Sequence, residues 1–257
     1  MALSILLFLP SCVPSTGNNT PPAQPVPFSH KLHVTDNKIG CLYCHPGAMT
    51  GAQAGSPDAE ACLKCHREVK PGSPEIMKLK SMIPSAGIAW APVARLLPNT
   101  RFTHEAHEAA KTPCSQCHGA VESMDEIYKG VELTMNFCAK CHDGRKARSE
   151  CLTCHEKDFT NARPAQPVKA KMERTGAELY GQLCRHCHGG SDGVAPAGSK
   201  MDPPPALILT RDSPTILEKN EIADRILNGG GRMPAFKWLE RRQAESIAGY
   251  IKTANPG

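Results

Sequence analysis

The sequence has few aromatic residues and no long apolar run. Phenylalanine, tyrosine and tryptophan make up only 5% of its 257 residues, whereas there are 23 prolines and 21 glycines. These proportions exclude a conventional core of large side chains, since such side chains supply most of the apolar area that a fold buries. No convincing strand ladder is visible either. A large apolar group other than the side chains must therefore fill the interior.

Cysteine, by contrast, is abundant, with thirteen residues. Most of them fall into one pentapeptide, Cys-x-x-Cys-His, which occurs six times and uses twelve of the thirteen. Two thiols at this spacing can reach the two vinyl groups of one haem, and the following histidine then lies under the iron as its proximal ligand. In chain order the six motifs are Cys41, Cys44 and His45; Cys62, Cys65 and His66; Cys114, Cys117 and His118; Cys138, Cys141 and His142; Cys151, Cys154 and His155; and Cys184, Cys187 and His188.

Zinc and disulfide bonds are the alternative interpretations of these cysteines. A zinc site needs two further ligands for each Cys-x-x-Cys pair and does not need a histidine directly after it. Composition alone would give roughly a few hundredths of one such match by chance. The sequence therefore predicts six covalently bound haems c. Their propionates would bring about −12 charges and reverse the formal charge of +5, so a basic nucleic-acid surface is not indicated.

The N-terminal segment predicts export. Its apolar run, Ala2 to Leu9, is about half the length of a membrane span and resembles the central region of a signal peptide. The next residues, ending in Cys12, resemble a bacterial lipobox, in which the cysteine becomes the lipidated N-terminus. The alternative is a plain signal peptide with an incidental cysteine. Haem attachment of this type also occurs outside the cytoplasm, so we expect a lipid anchor on the periplasmic side of a bacterial membrane.

Motif density and composition divide the chain into five parts. The signal segment, 1–12, is followed by a proline-rich tether, 13–27, and by a region with five motifs, 28–155. A linker that contains proline, 156–173, leads to a segment with one motif, 174–257. We expect a mainly α fold with much irregular coil, in which short helices carry the motifs. The linker is expected to give the last segment some reach.

A repeat of the form F-[ST]-H-x-x-H precedes the first and third motifs, at Phe28–His33 and Phe102–His107. Histidines three residues apart lie on one helical face and can point at two neighbouring irons. The alternative is a pair of surface histidines that happens to recur. The pattern resembles the cytochrome c3/c7 family, in which such a pair supplies distal ligands to two different haems.

That resemblance implies a set of axial ligands for the five-motif region. Of the eleven histidines, six are proximal, and His186 lies inside an attachment loop and is set aside, which leaves four for five haems. The family has a further histidine near position 135, where this sequence has Met135; Met124 is the alternative ligand, and Met135 could instead be a core residue. The implied pairs are His30 with His45, His33 with His66, His104 with His118, and His107 with His142.

The last segment resembles a class I cytochrome c. The stretch Gly176–Tyr180 leads into the sixth motif as the N-terminal helix does in that family, and Gly230–Pro234 resembles the loop that presents an axial methionine. The resemblance implies that Met233 is the second ligand of the His188 haem; a core methionine is the alternative. A final helix is expected over Glu240–Lys252, with Ile247, Tyr250 and Ile251 facing inward.

The region from Phe28 to His155 also resembles the pentahaem subunit of alternative complex III, a membrane quinol-oxidising complex. The resemblance is carried by FSHKLH with CLYCH, Pro74-Glu75-Ile76, Trp90, FTHEAH with CSQCHG, Met124 to Tyr128, and Leu133-Thr134-Met135. It implies an electron-transfer subunit without a catalytic site, partnered by an iron–sulfur protein and a polytopic quinol-oxidising subunit, and delivering electrons to a terminal oxidase or soluble carrier. The fused last segment departs from that family. A free-standing lipid-anchored shuttle and a multihaem reductase with an open haem site are the alternatives.

Overall fold

A computed structural model describes residues 20–83, 87–96, 100–155, 174–189 and 217–253. Within these ranges the chain is helical or irregular, with two isolated bridges in place of strands. The predicted mainly α fold with much coil is confirmed. Cys12 and the predicted linker lie outside the described residues.

The α-helices of the described residues, in chain order, are α1 (Cys41–Cys44), α2 (Ala59–His66), α3 (Pro74–Ser81), α4 (His104–Ala109), α5 (Cys114–His118), α6 (Met135–Gly144), α7 (Cys151–Cys154), α8 (Gly176–Leu183), α9 (Arg185–His188), α10 (Lys219–Asn228) and α11 (Arg241–Thr253).

Polar side chains just before the helices fix where several of them begin. Asp58 accepts a hydrogen bond of 2.8 Å from the amide of Ala61 at the start of α2. Ser73 caps α3 in the same way, and a proline occupies the first helical position, where the missing N–H costs nothing. Each of the six motifs also lies on a helix, as expected.

The five-motif region has little apolar core of its own. One small cluster joins α2 and α3 through Leu63, Ile76 and Leu79, with Trp90 against it. From residue 100 to 155, where the third, fourth and fifth motifs lie, the only buried side chain in the described chain is Met124. A polypeptide with so few buried side chains needs a large apolar group to pack against, and three haems would meet that need.

The last segment has a larger apolar cluster, built where α8, α10 and α11 meet. Leu179, Ile222, Ile226 and Ile247 are buried within it. Tyr250 and Ile251 pack against the cluster, and α11 begins within one residue of its predicted start. These inward-facing residues and the final helix are therefore confirmed.

The two terminal helices of this segment touch at a glycine. A Cβ atom on Gly176, the first residue of α8, would lie only 2.0 Å from the main-chain oxygen of Ser246 in α11. Residue 176 therefore has to be glycine if α8 and α11 are to cross this closely. In the described ranges, no helix is long and apolar enough to cross a bilayer.

Substitution at this crossing should be destabilising. Gly176→Ala puts a methyl group against backbone that cannot move aside, so we expect the free energy of unfolding to fall by about 1–3 kcal/mol. Gly181→Ala, in the same helix, is the matched control, because a Cβ there meets no atom within 4 Å. That control should gain about 0.5–1 kcal/mol from helix propensity. Urea unfolding of the full chain measures both; equal stabilities would contradict the close crossing.

Candidate haem-attachment sites and axial ligands

The twelve motif cysteines are all free thiols in this structure. Burial is the main cause that raises the pKa of Cys44, Cys184 and Cys187 to about 12. A structural zinc site needs four convergent ligands. Over the described part of the chain, no three histidine, cysteine or carboxylate side chains converge in a way that could hold a metal ion. The thiols therefore fit covalent attachment of haem better than a zinc site.

Six of the predicted ligand histidines are held by the same hydrogen bond. In each, Nδ1 lies within 2.9 Å of a main-chain carbonyl oxygen, and because a carbonyl can only accept, Nδ1 carries the proton. The lone pair on Nε2 is then directed away from the backbone and is left for a metal. The bonds join His33 to Ser29 (2.8 Å), His45 to Gly55 (2.6 Å), His66 to Val69 (2.9 Å), His104 to Ala52 (2.7 Å), His107 to Thr103 (2.8 Å) and His142 to Arg148 (2.5 Å).

Three pairs of imidazole rings face each other across a gap of about the same width. Two imidazoles that bind one metal ion from opposite sides, each through a bond of about 2 Å, have ring centres about 6 Å apart. The ring centres are 6.1 Å apart for His33 and His66, 6.2 Å for His104 and His118, and 5.9 Å for His107 and His142. These separations fit a haem iron between each pair.

His30 lies near His45 and completes a fourth pair of neighbours. Burial, and then the charges of His45 and His33, lower the pKa of His30 to about 4. Its buried Nδ1 has no hydrogen-bond partner among the described residues. The structure thus brings together all four histidine pairs that the c3/c7 resemblance implied, three of them in ring-to-ring register.

The phenylalanine that opens each repeat positions both histidines behind it. The ring of Phe28 packs edge-on against His30 at 4.9 Å and face-on against His33 at 4.3 Å. Phe102 does the same with His104 at 4.7 Å and with His107 at 4.6 Å. The recurrence of phenylalanine at the same place in both repeats was the sequence signal for this positioning role, which the motifs and histidine spacing alone did not indicate.

The sixth motif faces a pocket that also includes Met233. Cys184, Cys187, His188 and Met233 line it, and its empty volume, counting the open mouth, is about 250 Å³. The methionine therefore lies on the same pocket as the proximal histidine, as a second axial ligand should. Met233 also packs against the apolar cluster of the last segment, so its backbone is well supported there.

The loop before Met233 depends on glycine. The backbone of Gly229 has φ +71°, and a Cβ atom there would lie 2.7 Å from the main-chain oxygen of Met233. Gly230 and Met233 then exchange two main-chain hydrogen bonds of 3.1 Å. The turn thereby fixes where the methionine leaves the backbone.

His186 lies inside the sixth motif and is almost completely buried, at 1% exposure. Neither of its ring nitrogens has a hydrogen-bond partner among the described residues. Burial, and then the charge of His188, lower its pKa to about 4, so the ring is neutral. Its ring packs edge-on against Tyr43 of the first motif, with centres 4.3 Å apart. The ring thus packs against the first motif, and no distal role for it emerges.

The two candidates for the fifth distal ligand differ in exposure. Met135 is the first residue of α6 and is 76% exposed, whereas Met124 is 5% exposed. The methyl group of Met124 lies against the turn at Gly130. Of the two, Met124 therefore has the surroundings of a core methionine and Met135 does not. Met135 lies one helical turn before Cys138, a thiol whose charge raises the pKa of Cys154 in the fifth motif, so these two motifs are neighbours.

The motifs form a connected series. The thiols of Cys41 and Cys114 share a hydrogen bond, which joins the first motif to the third. The Gln116 amide of the third motif donates to Cys141 of the fourth over 3.4 Å. The charges of Cys62 and Cys65 act on Cys44, so the second motif borders the first. With the contact between the fourth and fifth motifs, the order in space is second, first, third, fourth, fifth.

Two comparisons with known proteins bear on the cofactor. Residues 171–251 match the family described as cytochrome c oxidase, cbb3-type, subunit III. The chain is also 26% identical over 161 residues to the menaquinone reductase multiheme cytochrome c subunit of Nitratidesulfovibrio vulgaris (strain Hildenborough). That alignment covers 52% of this chain and 77% of the relative. These similarities support haem c as the cofactor and electron transfer by a multihaem cytochrome c.

Loss of a repeat phenylalanine should loosen the histidine pair behind it. Phe102→Leu removes two ring contacts, so we expect the free energy of unfolding to fall by about 1 kcal/mol. The electron paramagnetic resonance signals of bis-histidine haem should shift as well, because the plane of His104 is now 7° from that of His118 and would no longer be held there.

Phe137→Leu is the control, since Phe137 has no ring contact with a described imidazole. It should leave the resonance spectrum unchanged. Identical spectra for Phe102→Leu and the unmodified protein would show that the phenylalanine does not position the histidines.

Proposed function

We propose that this chain is a hexahaem c-type cytochrome that conducts electrons as a subunit of a membrane quinone oxidoreductase, without a catalytic site of its own. The observation that carries the proposal is the set of three facing imidazole pairs with ring centres about 6 Å apart. Five of these six histidines are fixed by an Nδ1 hydrogen bond to a main-chain carbonyl. Each haem, when bound, supplies one iron that takes up and releases a single electron. The protein attaches, orients and shields these irons.

The residues would divide the work as the motifs suggest. The twelve motif cysteines form the thioether bonds, and the histidine after each pair is the proximal ligand. Four haems take histidine as distal ligand, from His30, His33, His104 and His107, and two take methionine, from Met135 and Met233. Because a methionine ligand raises the reduction potential relative to bis-histidine ligation, the sixth site is among those where electrons collect.

Two directions of electron flow are consistent with such a subunit. The resemblance of residues 28–155 to the pentahaem subunit of alternative complex III favours quinol oxidation, with delivery to an oxidase or a soluble carrier. The similarity to a menaquinone reductase subunit favours the opposite direction, in which the haems receive electrons and pass them to quinone. We propose quinol oxidation first and quinone reduction as the second candidate. A free-standing shuttle is the remaining alternative, and the exported, Cys12-anchored location is common to all three.

Purification from membranes tests this proposal. The intact mass of the mature chain should show six haem additions, and a lipid on Cys12. An iron–sulfur protein and a polytopic membrane protein should co-elute with it. When the purified complex is mixed with menaquinol, its haems should become reduced.

Each other result has a distinct meaning. Fewer than six haem additions would refute the hexahaem assignment, and elution of the chain alone would favour the shuttle. Haems that stay oxidised with menaquinol, but are re-oxidised by menaquinone after reduction, would establish the second candidate direction.

The methionine ligand of the five-haem region has its own test. Met135→Ala should remove one of two histidine–methionine signatures from the near-infrared magnetic circular dichroism spectrum. Met77→Ala is the matched control, because Met77 is also exposed, at 55%, and lies on α3, a helix that carries no assigned ligand. If Met135→Ala leaves both signatures in place, the fifth distal ligand is another residue, and Met124→Leu is the next variant to examine.

A further inference from the structure

The last segment packs directly on the first motif. Leu42, the residue after the first cysteine of that motif, is 3% exposed and belongs to the apolar cluster of α8, α10 and α11. The neighbouring Tyr43 contacts the buried ring of His186 at 4.3 Å and that of Phe236 at 6.4 Å. Side chains that lie between the cysteines of the first and sixth motifs are therefore in contact with each other.

A glycine allows the two backbones to come this close. A Cβ atom on Gly40 would lie 2.4 Å from the main-chain oxygen of Gln182 and 2.6 Å from its Cα atom. The backbone of Gly40, with φ −71° and ψ 150°, has a conformation that any residue adopts. Glycine is thus required here only by the approach of α8, and not by its own turn.

Three ion pairs also join the last segment to the five-motif region. Lys111 and Glu178 are joined over 2.9 Å, and Arg174 pairs with Glu108 where the two side chains are only 18% and 13% exposed. On the other side, Arg232, which precedes the methionine of the sixth site, pairs with Glu68, two residues after the second motif. Such pairs contribute little energy when exposed but fix the orientation of the surfaces that they join.

The contact also sets which motifs adjoin the sixth. Tyr43 of the first motif contacts His186 of the sixth, with ring centres 4.3 Å apart. Glu68, two residues after the second motif, pairs with Arg232, which precedes Met233 of the sixth site. The first and second motifs therefore border the sixth. The fifth motif precedes the sixth in the chain, but it lies at the far end of the spatial series, beyond the third and fourth.

We propose that the last segment occupies a fixed seat on the first two motifs, formed around Gly40, Leu42 and Tyr43, and that the sixth site exchanges electrons there. The exchange partners are the first and second sites, not the fifth. With haems bound, the exchange would be the transfer of one electron, which the donor haem would lose and the sixth haem would gain, with no change of bond or proton. The proposal rests on the proposed function. It also differs from the expectation drawn from the sequence, because the last segment is docked in one position instead of reaching out on its linker.

Gly40→Ala in the full haem-loaded chain tests the seat. The methyl group would meet the backbone of α8, and an overpacking cost near 1.4 kcal/mol lowers the ratio of docked to undocked chain about tenfold. We expect the radius of gyration from small-angle scattering to rise. Re-equilibration of the sixth site after a single-electron pulse should slow as the docked fraction falls. Gly72→Ala, where a Cβ meets no atom within 4 Å, should change neither.

A charge swap tests the same seat without a steric clash. Arg174→Glu and Glu108→Arg, made singly, should each expand the chain and slow the exchange, and the double variant should restore both. An unchanged radius and rate in Gly40→Ala and in both single charge variants would overturn the seat. Intact mass gives the number of bound haems in every variant, so the two proposals can fail separately. Fewer than six haems in the unmodified chain would refute the proposed function. The radius of gyration would still report whether the last segment is docked.

Discussion

A main-chain carbonyl that accepts a hydrogen bond from imidazole Nδ1 recurs at six histidines, and the arrangement of the chain depends on it. The bond fixes both the tautomer and the ring direction, so that the nitrogen left for a metal points away from the backbone. In the two repeats, the acceptor is the residue four positions earlier, at Ser29 and Thr103. One helical turn therefore orients the second histidine of each pair, while the phenylalanine before it holds both rings. The orientation of His33 and His107 is thus built locally, whereas His104 bonds to the carbonyl of Ala52, 52 residues earlier.

The need to direct cysteines and histidines inward also explains why the chain has so few buried side chains between residues 100 and 155. Short helices that display cysteines and histidines inward have little room for leucine or isoleucine, and Met124 is the one buried side chain described there. Stability in this region must come from packing around the attached groups. The last segment is built differently, because three longer helices bury Leu179, Ile226 and Ile247 against one another. Cofactor attachment and folding are therefore more tightly coupled in the first region than in the last.

Features that depend on short stretches of sequence were predictable. The motifs, the Ser73 cap and the final helix follow from spacing and from caps within a few residues, and the structure has all of them. The implied partners of His33, His104 and His107 came from a family resemblance, and the structure brings those rings together. The contact between Tyr43 and His186 was not predictable, since it joins residues far apart in sequence, and each occupies a position of its motif that attachment leaves free to vary. The spatial order of the motifs could not be predicted from the sequence either, because it also depends on contacts between residues far apart in the chain.

A seat of this kind is weak unless the segments are covalently joined. Two of its ion pairs are a third or more exposed, so salt would screen them, and Leu42 and Tyr43 offer only a small apolar contact. Between separate proteins, such a contact would be short-lived. Joined in one chain by a linker of moderate length, the two surfaces meet at an effective concentration in the millimolar range, which favours the docked form without any added contact. Fusion in one chain therefore keeps the last segment docked through an interface that would be too weak to hold two separate subunits together. Because the junction lies at the first two motifs, the segment is joined in sequence to one end of the series and docked in space at the other.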